Sequence, residues 1–140
     1  MKITMRNGFY FTIIVCIGIF NFSSCKKNEG TNIPYLFLKS GGHYISIDGN
    51  VVRGDTILVG VNAASNGLNL SNFSIFRKHD NAATDSIYFS ETITSAPAIN
   101  NYIKDFQIII QNHAGKEEFT FQITDTGNQS ESKIIVLNVL

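Results

Sequence analysis

From residue 34 onward the chain is broken about every ten to fifteen residues by clusters of Gly, Asn, Asp and Ser. Between the breaks lie short runs rich in Ile, Val, Phe and Tyr, and no stretch holds a helical period over ten residues. A backbone punctuated so often cannot build long helices, whereas short β-strands joined by tight turns suit it. The alternation is cleanest at residues 119–124. Phe119, Phe121 and Ile123 share one parity there and Thr120, Gln122 and Thr124 the other. Successive strand residues point to opposite faces, so this pattern describes a strand with one dry and one wet side.

Extended to the whole region, the same reading predicts seven strands. The first region covers residues 35–39 and, after Gly41-Gly42, residues 43–47, with Asp48-Gly49-Asn50 as a turn. Strands over 56–63, 72–78, 86–93 and 102–111 follow. The sixth is the 119–124 segment, and the seventh, over 131–139, is apolar on both parities. Expected inward residues include Phe73, Ile75, Ile87, Phe89, Phe106, Ile108 and Ile110. Strands with one wet face suit an antiparallel sandwich of two sheets, with a small barrel as the alternative.

The segment Gly115-Lys116-Glu117-Glu118-Phe119-Thr120-Phe121-Gln122-Ile123-Thr124-Asp125-Thr126-Gly127 resembles the last hairpin of bacterial immunoglobulin-like and PKD-like domains. Those run glycine, aromatic, alternating apolar residues, then aspartate and glycine at the final turn. The resemblance implies a seven-stranded antiparallel immunoglobulin-like β-sandwich over residues 34–140. The chain has no Trp, and no cysteine lies in that range. Such domains share no activity, so the resemblance implies a module and not a mechanism.

The amino terminus carries different information. Lys2 and Arg6 precede an apolar run from residue 9 to residue 22, which ends in Phe22-Ser23-Ser24-Cys25. This is the order of an export signal: charged residues, an apolar segment, small residues, then a cysteine. As a helix, residues 8–22 would cover roughly 22 Å at about 1.5 Å per residue, short of a hydrocarbon core of about 30 Å. An uncleaved membrane anchor is the competing reading. The segment Ser23-Ser24-Cys25-Lys26-Lys27-Asn28-Glu29 resembles the processing site of Bacteroidota-type lipoproteins. That implies cleavage before Cys25 and lipid attachment to its sulfur. The expected organisation is a signal peptide over 1–24 that forms a helix, a lipidated cysteine and flexible tether over 25–33, and one β domain over 34–140.

Charge excludes some partners. The chain is formally neutral, and loss of Lys2 and Arg6 with the leader leaves a net charge of about −2. No basic run lies beyond Lys26-Lys27, so nothing electrostatic favours nucleic acid. With Cys16 removed and Cys25 acylated, the folded domain has no disulfide and relies on packing and hydrogen bonds.

No motif for catalysis appears. There is no Gly-x-Ser-x-Gly elbow, no His-Glu-x-x-His and no glycine-rich phosphate loop, and His43, His79 and His113 read as loop or strand-end residues. Calcium would draw on loop carboxylates. Asp48 with Asn50, Asp80 with Asn81 and Asp85, and Asp125 with Asn128 are the clusters, and Asp80, Asp85 and Asp125 are the candidate ligands should loop tips converge. Asp and Asn also favour turns without any metal. A sugar platform would use exposed aromatic rings. Tyr88 and Tyr102 are its candidates, because their sequence neighbours claim the core face, and cross-strand packing is the plainer alternative. Asp55-Thr56-Ile57 and Asp85-Ser86-Ile87 resemble an O-glycosylation motif of exported proteins in the same bacterial group, which implicates Thr56 and Ser86.

The expectation is an exported, lipid-anchored protein of the cell envelope, in the outer membrane on its surface or periplasmic face. It contacts the membrane through lipid on Cys25, needs no cofactor, and works without catalysis by binding a protein or a glycan. The alternatives are a calcium-dependent or small hydrolytic module built on the loop aspartates, or a structural spacer.

Overall fold

A computed structural model describes residues 32–80, 82–94 and 100–140. The leader, Cys25 and most of the tether lie outside these residues. The described chain is all-β, with eight strands in two sheets. They are β1 Tyr35–Leu38, β2 Gly49–Val51, β3 Thr56–Ala64, β4 Leu70–His79, β5 Ser86–Thr92, β6 Asn101–Ile109, β7 Gly115–Asp125 and β8 Ser130–Val139. One sheet has the order β1-β3-β6 and the other β2-β8-β7-β4-β5.

The inner faces meet in one apolar core. Leu36, Val59, Val61, Ala63, Tyr102, Phe106 and Ile108 come from the smaller sheet, and Phe73, Ile75, Phe119, Phe121, Ile123, Ile135 and Leu137 from the larger. Phe73 is the hub. Its ring stacks on Tyr102 at 4.9 Å and on Phe106 at 5.3 Å, which ties the two sheets together. Offset stacks of this kind add to the area term of burial.

The two-sheet sandwich agrees with the expected architecture, and the count and direction of strands depart from it. Asp48-Gly49-Asn50 is no simple turn, since Gly49–Val51 pairs with Leu137–Val139 as β2. That pairing is parallel, so the larger sheet is mixed and not purely antiparallel. The cause is visible in the side chains: Asp48 Oδ1 accepts the Val136 N–H at 2.8 Å and steers the strand alongside β8. Residues 43–47 contribute only a bridge, Tyr44 to Leu58, and no strand.

Parity is also overturned in places. Ile87 is exposed although it was expected inside, because the β4–β5 register shifts between Ile75 and Phe76. Ile75 faces Phe89 while Phe76 faces Ile87, which leaves Tyr88 as the extra residue of a bulge. β8 buries Ile135, Leu137 and Val139 but leaves Ile134 exposed, so it is covered on one side only.

Candidate ligand-binding face

The expected site residues scatter over the sandwich. Tyr102 is 8% exposed and stacks on Phe73, so it belongs to the core and presents no platform. Burial, and after it neighbouring Glu91, pushes its phenol well above the ordinary range. Tyr88 is 37% exposed, with its ring edge-on to Phe119 and the Arg77 guanidinium 5.6 Å from its centre. Asp80 and Asp125 cannot share a metal. The β4–β7 register places Leu70 beside Asp125 and His79 beside Glu117. Asp80 lies one step further, bonded to Lys116, so nine strand residues separate it from Asp125, roughly 31 Å at about 3.4 Å each. Asp125 is buried and holds a turn: its Oδ1 accepts the N–H groups of Gly127 and Gln129 at 2.8 and 2.9 Å. Asp80 Oδ1 accepts the Lys116 N–H at 2.8 Å, Asp85 is exposed, and Asn81 lies outside the described residues. Among the described residues no three His, Cys, Asp or Glu side chains group as metal ligands. Thr56 and Ser86 both open strands in exposed positions, and the Ser86 hydroxyl donates to the Arg77 carbonyl at 3.0 Å.

One polar cluster went unread in the sequence. Glu117 has the inward parity of Phe119 and Phe121, and it is fully buried. Its Oε1 accepts from Arg77 at 2.5 Å and from the Gln111 N–H at 3.3 Å. Arg77 also reaches the Ile109 carbonyl at 3.2 Å, bridging the two sheets. His79 Nδ1 lies 3.9 Å from Glu117 Oε1, and the His113 ring meets the His79 ring edge-on. The four side chains close one end of the sandwich.

The outer face of the β1-β3-β6 sheet has a different character. Register sets its rows: Tyr35–Ala64–Asn101, then Phe37–Asn62–Ile103, then Gly60–Asp105. Tyr35 is 50%, Phe37 59% and Ile103 64% exposed. The Tyr35 and Phe37 rings are nearly parallel, 18° apart in plane and 6.5 Å apart in centre. The central strand sets the shorter side chains of Asn62 and Ala64 between those rings and the β6 residues Ile103 and Asn101, a low strip, or trough, along β3. On the other flank, the same two rings border a cleft shared with Asn66, Glu131 and Lys133.

Gly60 closes one end of the trough. A Cβ there would collide with the Lys39 and Tyr44 side chains, which cross above it. Lys39 Nζ donates to Asp105 Oδ1 at 2.6 Å and the Tyr44 hydroxyl to Asp105 Oδ2 at 2.8 Å. The bond from Lys39, and then that from Tyr44, holds the Asp105 carboxyl below its usual range, and the same carboxylate raises Lys39. These are the only charged side chains in the rows, and they neutralise each other.

The trough was hidden because Tyr35 and Phe37 lie in a short, wholly apolar run. The signal was their parity: Leu36 takes the core, so its two aromatic neighbours must face outward.

No family model matches this chain, and no curated protein matches it. Solved structures resemble it in shape. A superoxide reductase (neelaredoxin) from Ignicoccus hospitalis aligns with TM-score 0.51 and 6% identity over 77% of this chain and 80% of that one. The CARDB domain of a Pyrococcus furiosus protein aligns with TM-score 0.46 and 12% identity over 77% and 90%. A Niemann-Pick type C2 protein from the Japanese carpenter ant gives 0.47 and 6% over 76% and 89%. At such identities a likeness concerns the fold, and no activity passes with it.

Proposed function

We propose that the protein is a lipid-anchored module of the bacterial cell envelope that acts by binding, with the outer face of the β1-β3-β6 sheet as its contact surface. The observation that carries the contact surface is the exposed ring pair Tyr35–Phe37 beside Ile103, an apolar patch on a face without net charge. The leader, the small residues before Cys25 and the resemblance of residues 23–29 to a lipoprotein processing site support the anchor. The strand order supports an immunoglobulin-like reading: β1 and β2 act as a split first strand shared between two sheets.

Two measurements test this. Palmitate labelling and membrane fractionation should place the protein with the membrane, and Cys25→Ala should abolish both label and retention. Loss of neither would overturn the anchor. For the surface, a photo-crosslinking amino acid at position 37 in intact cells should give adducts. At position 134, exposed on the other sheet, it should give none. Equal yields from both would overturn the assignment of the face.

A further inference from the structure

We infer that the trough over β3 takes a neutral glycan, with sugar rings stacked on Tyr35 and Phe37 and hydroxyls read by Asn62, Asn101 and the Lys39–Asp105–Tyr44 group. The inference rests on the binding reading above and names its ligand class.

Four features argue for sugar. A pyranose presents an apolar face of C–H groups, which packs against the electron-rich face of an aromatic ring. Two nearly parallel rings with centres 6.5 Å apart, each at least half exposed, offer aromatic surface for such faces. Sugar edges carry hydroxyls, which need donors and acceptors at the margin of the rings. The rows supply amides at Asn62 and Asn101 and a bound carboxylate at Asp105. An amide both donates and accepts, so it suits a hydroxyl of either orientation.

Charge sets the third feature. Lys39 and Asp105 are paired at 2.6 Å, and no other charged residue stands in the rows. An acidic polysaccharide or a charged protein would find no complementary field here, while a neutral glycan needs none.

The fourth feature is preorganisation. Asp105 is clamped by two donors, and Gly60 lets Lys39 and Tyr44 lie flat above the strand. The polar end of the trough is thus fixed before a ligand arrives, which lowers the entropy lost on binding. A protein interface would more typically centre on an apolar anchor ringed by polar residues. Here the two rings line one flank, on β1, and the amides of Asn62 and Asn101 stand on the neighbouring strands.

Affinity electrophoresis of the full-chain protein tests the inference, with soluble β-glucan, xyloglucan, mannan and dextran as neutral probes and polygalacturonate as the acidic one. At least one neutral polysaccharide should retard the wild type, and polygalacturonate should not. Phe37→Ala and Tyr35→Ala should each weaken retardation about fivefold to tenfold, in line with the loss of one ring contact. Phe37→Trp, which keeps a ring, should retain it, so that a structural effect of the alanine change is told apart from loss of a seat. Unchanged retardation in both alanine variants, or retardation by the acidic probe alone, overturns the inference. So does the absence of retardation by every neutral probe. In that last case, crosslinking at position 37 separates the two failures. A protein adduct leaves the binding face standing and rejects the glycan, and no adduct rejects both.

Discussion

Removing the guanidinium of Arg77 would leave the Glu117 carboxylate fully buried with only the Gln111 N–H, at 3.3 Å, as a bonded partner. An uncompensated buried charge typically costs about 3–5 kcal/mol, whereas a buried ion pair replaced by apolar groups of similar volume is often neutral. Arg77→Met should therefore lower unfolding stability by about that amount in urea titration. Arg77→Met combined with Glu117→Leu should recover most of the loss, a coupling that a double-mutant cycle reads directly. Independent, additive losses would show that the pair does not interact. Tyr102 yields a pH prediction. Its folded phenol is raised by burial and by Glu91, while the unfolded phenol ionises near pH 10. A raised value means that this stabilising contribution is complete below about pH 10 and is lost as pH climbs toward the folded value. Stability should fall above about pH 10 in the wild type, and Tyr102→Phe should flatten that decline. An identical alkaline limb in the variant would remove Tyr102 as its cause. These residues also mark what could be read beforehand. The inward parity of Phe119, Phe121 and Ile123 was plain because apolar residues alternated with polar ones. Glu117 and Asp125 share that parity but were invisible as core residues: Asp125 reads as an ordinary turn aspartate, and the chief partner of Glu117 lies far away in sequence. Nothing local announces an arginine forty positions upstream.

At the level of strands, the β7–β8 hairpin depends on two polar residues. Asn128 adopts a positive φ of 62°, and Asp125 ties down the turn by accepting from Gly127 and Gln129. A side chain with a Cβ pays about 1–2 kcal/mol in that left-handed region, and Asn tolerates it better than most. Asn128→Gly should be neutral or slightly stabilising, and Asn128→Val should cost about 1–2 kcal/mol. Asp125→Ala should cost about 1–3 kcal/mol, because two amides lose their acceptor. Melting curves of the three variants check the ranking, and Asn128→Val matching wild type would refute the conformational account. This turn was legible as Asp125-Thr126-Gly127-Asn128, since those residues favour turns locally. The elements that escaped sequence reading depend on long-range pairing. β2 is held beside β8 by the Asp48–Val136 bond, and the β5 bulge by a register shift against β4. A bulge inverts parity from that point on, which is why Ile87 faces water and Tyr88 leans over Phe119. The expected strand count failed at β2 and the expected parity at Ile87, because local alternation carries no record of a slipped or parallel partner.

For the molecule as a whole, cohesion and address can be tested together through sulfur. Both cysteines, Cys16 and Cys25, lie before the β domain, so no disulfide can brace the two sheets. The core spans both sheets through Phe73, Tyr102 and Phe106, which favours one cooperative unfolding transition. Reductant should then leave the melting midpoint unmoved. The same two residues report on processing. If the leader is clipped before Cys25, Cys16 departs with it, and lipid attached through a thioether consumes the sulfur that remains. Protein extracted from its own membrane and fully denatured should thus show no thiol reactive toward Ellman's reagent, with or without prior reduction. An uncleaved chain would show two after reduction, and a cleaved but unlipidated one would show a single thiol. The count therefore distinguishes the lipid anchor from a retained membrane anchor and from plain secretion. A count of one or two in the native protein would overturn the anchor while leaving the sandwich and its trough untouched.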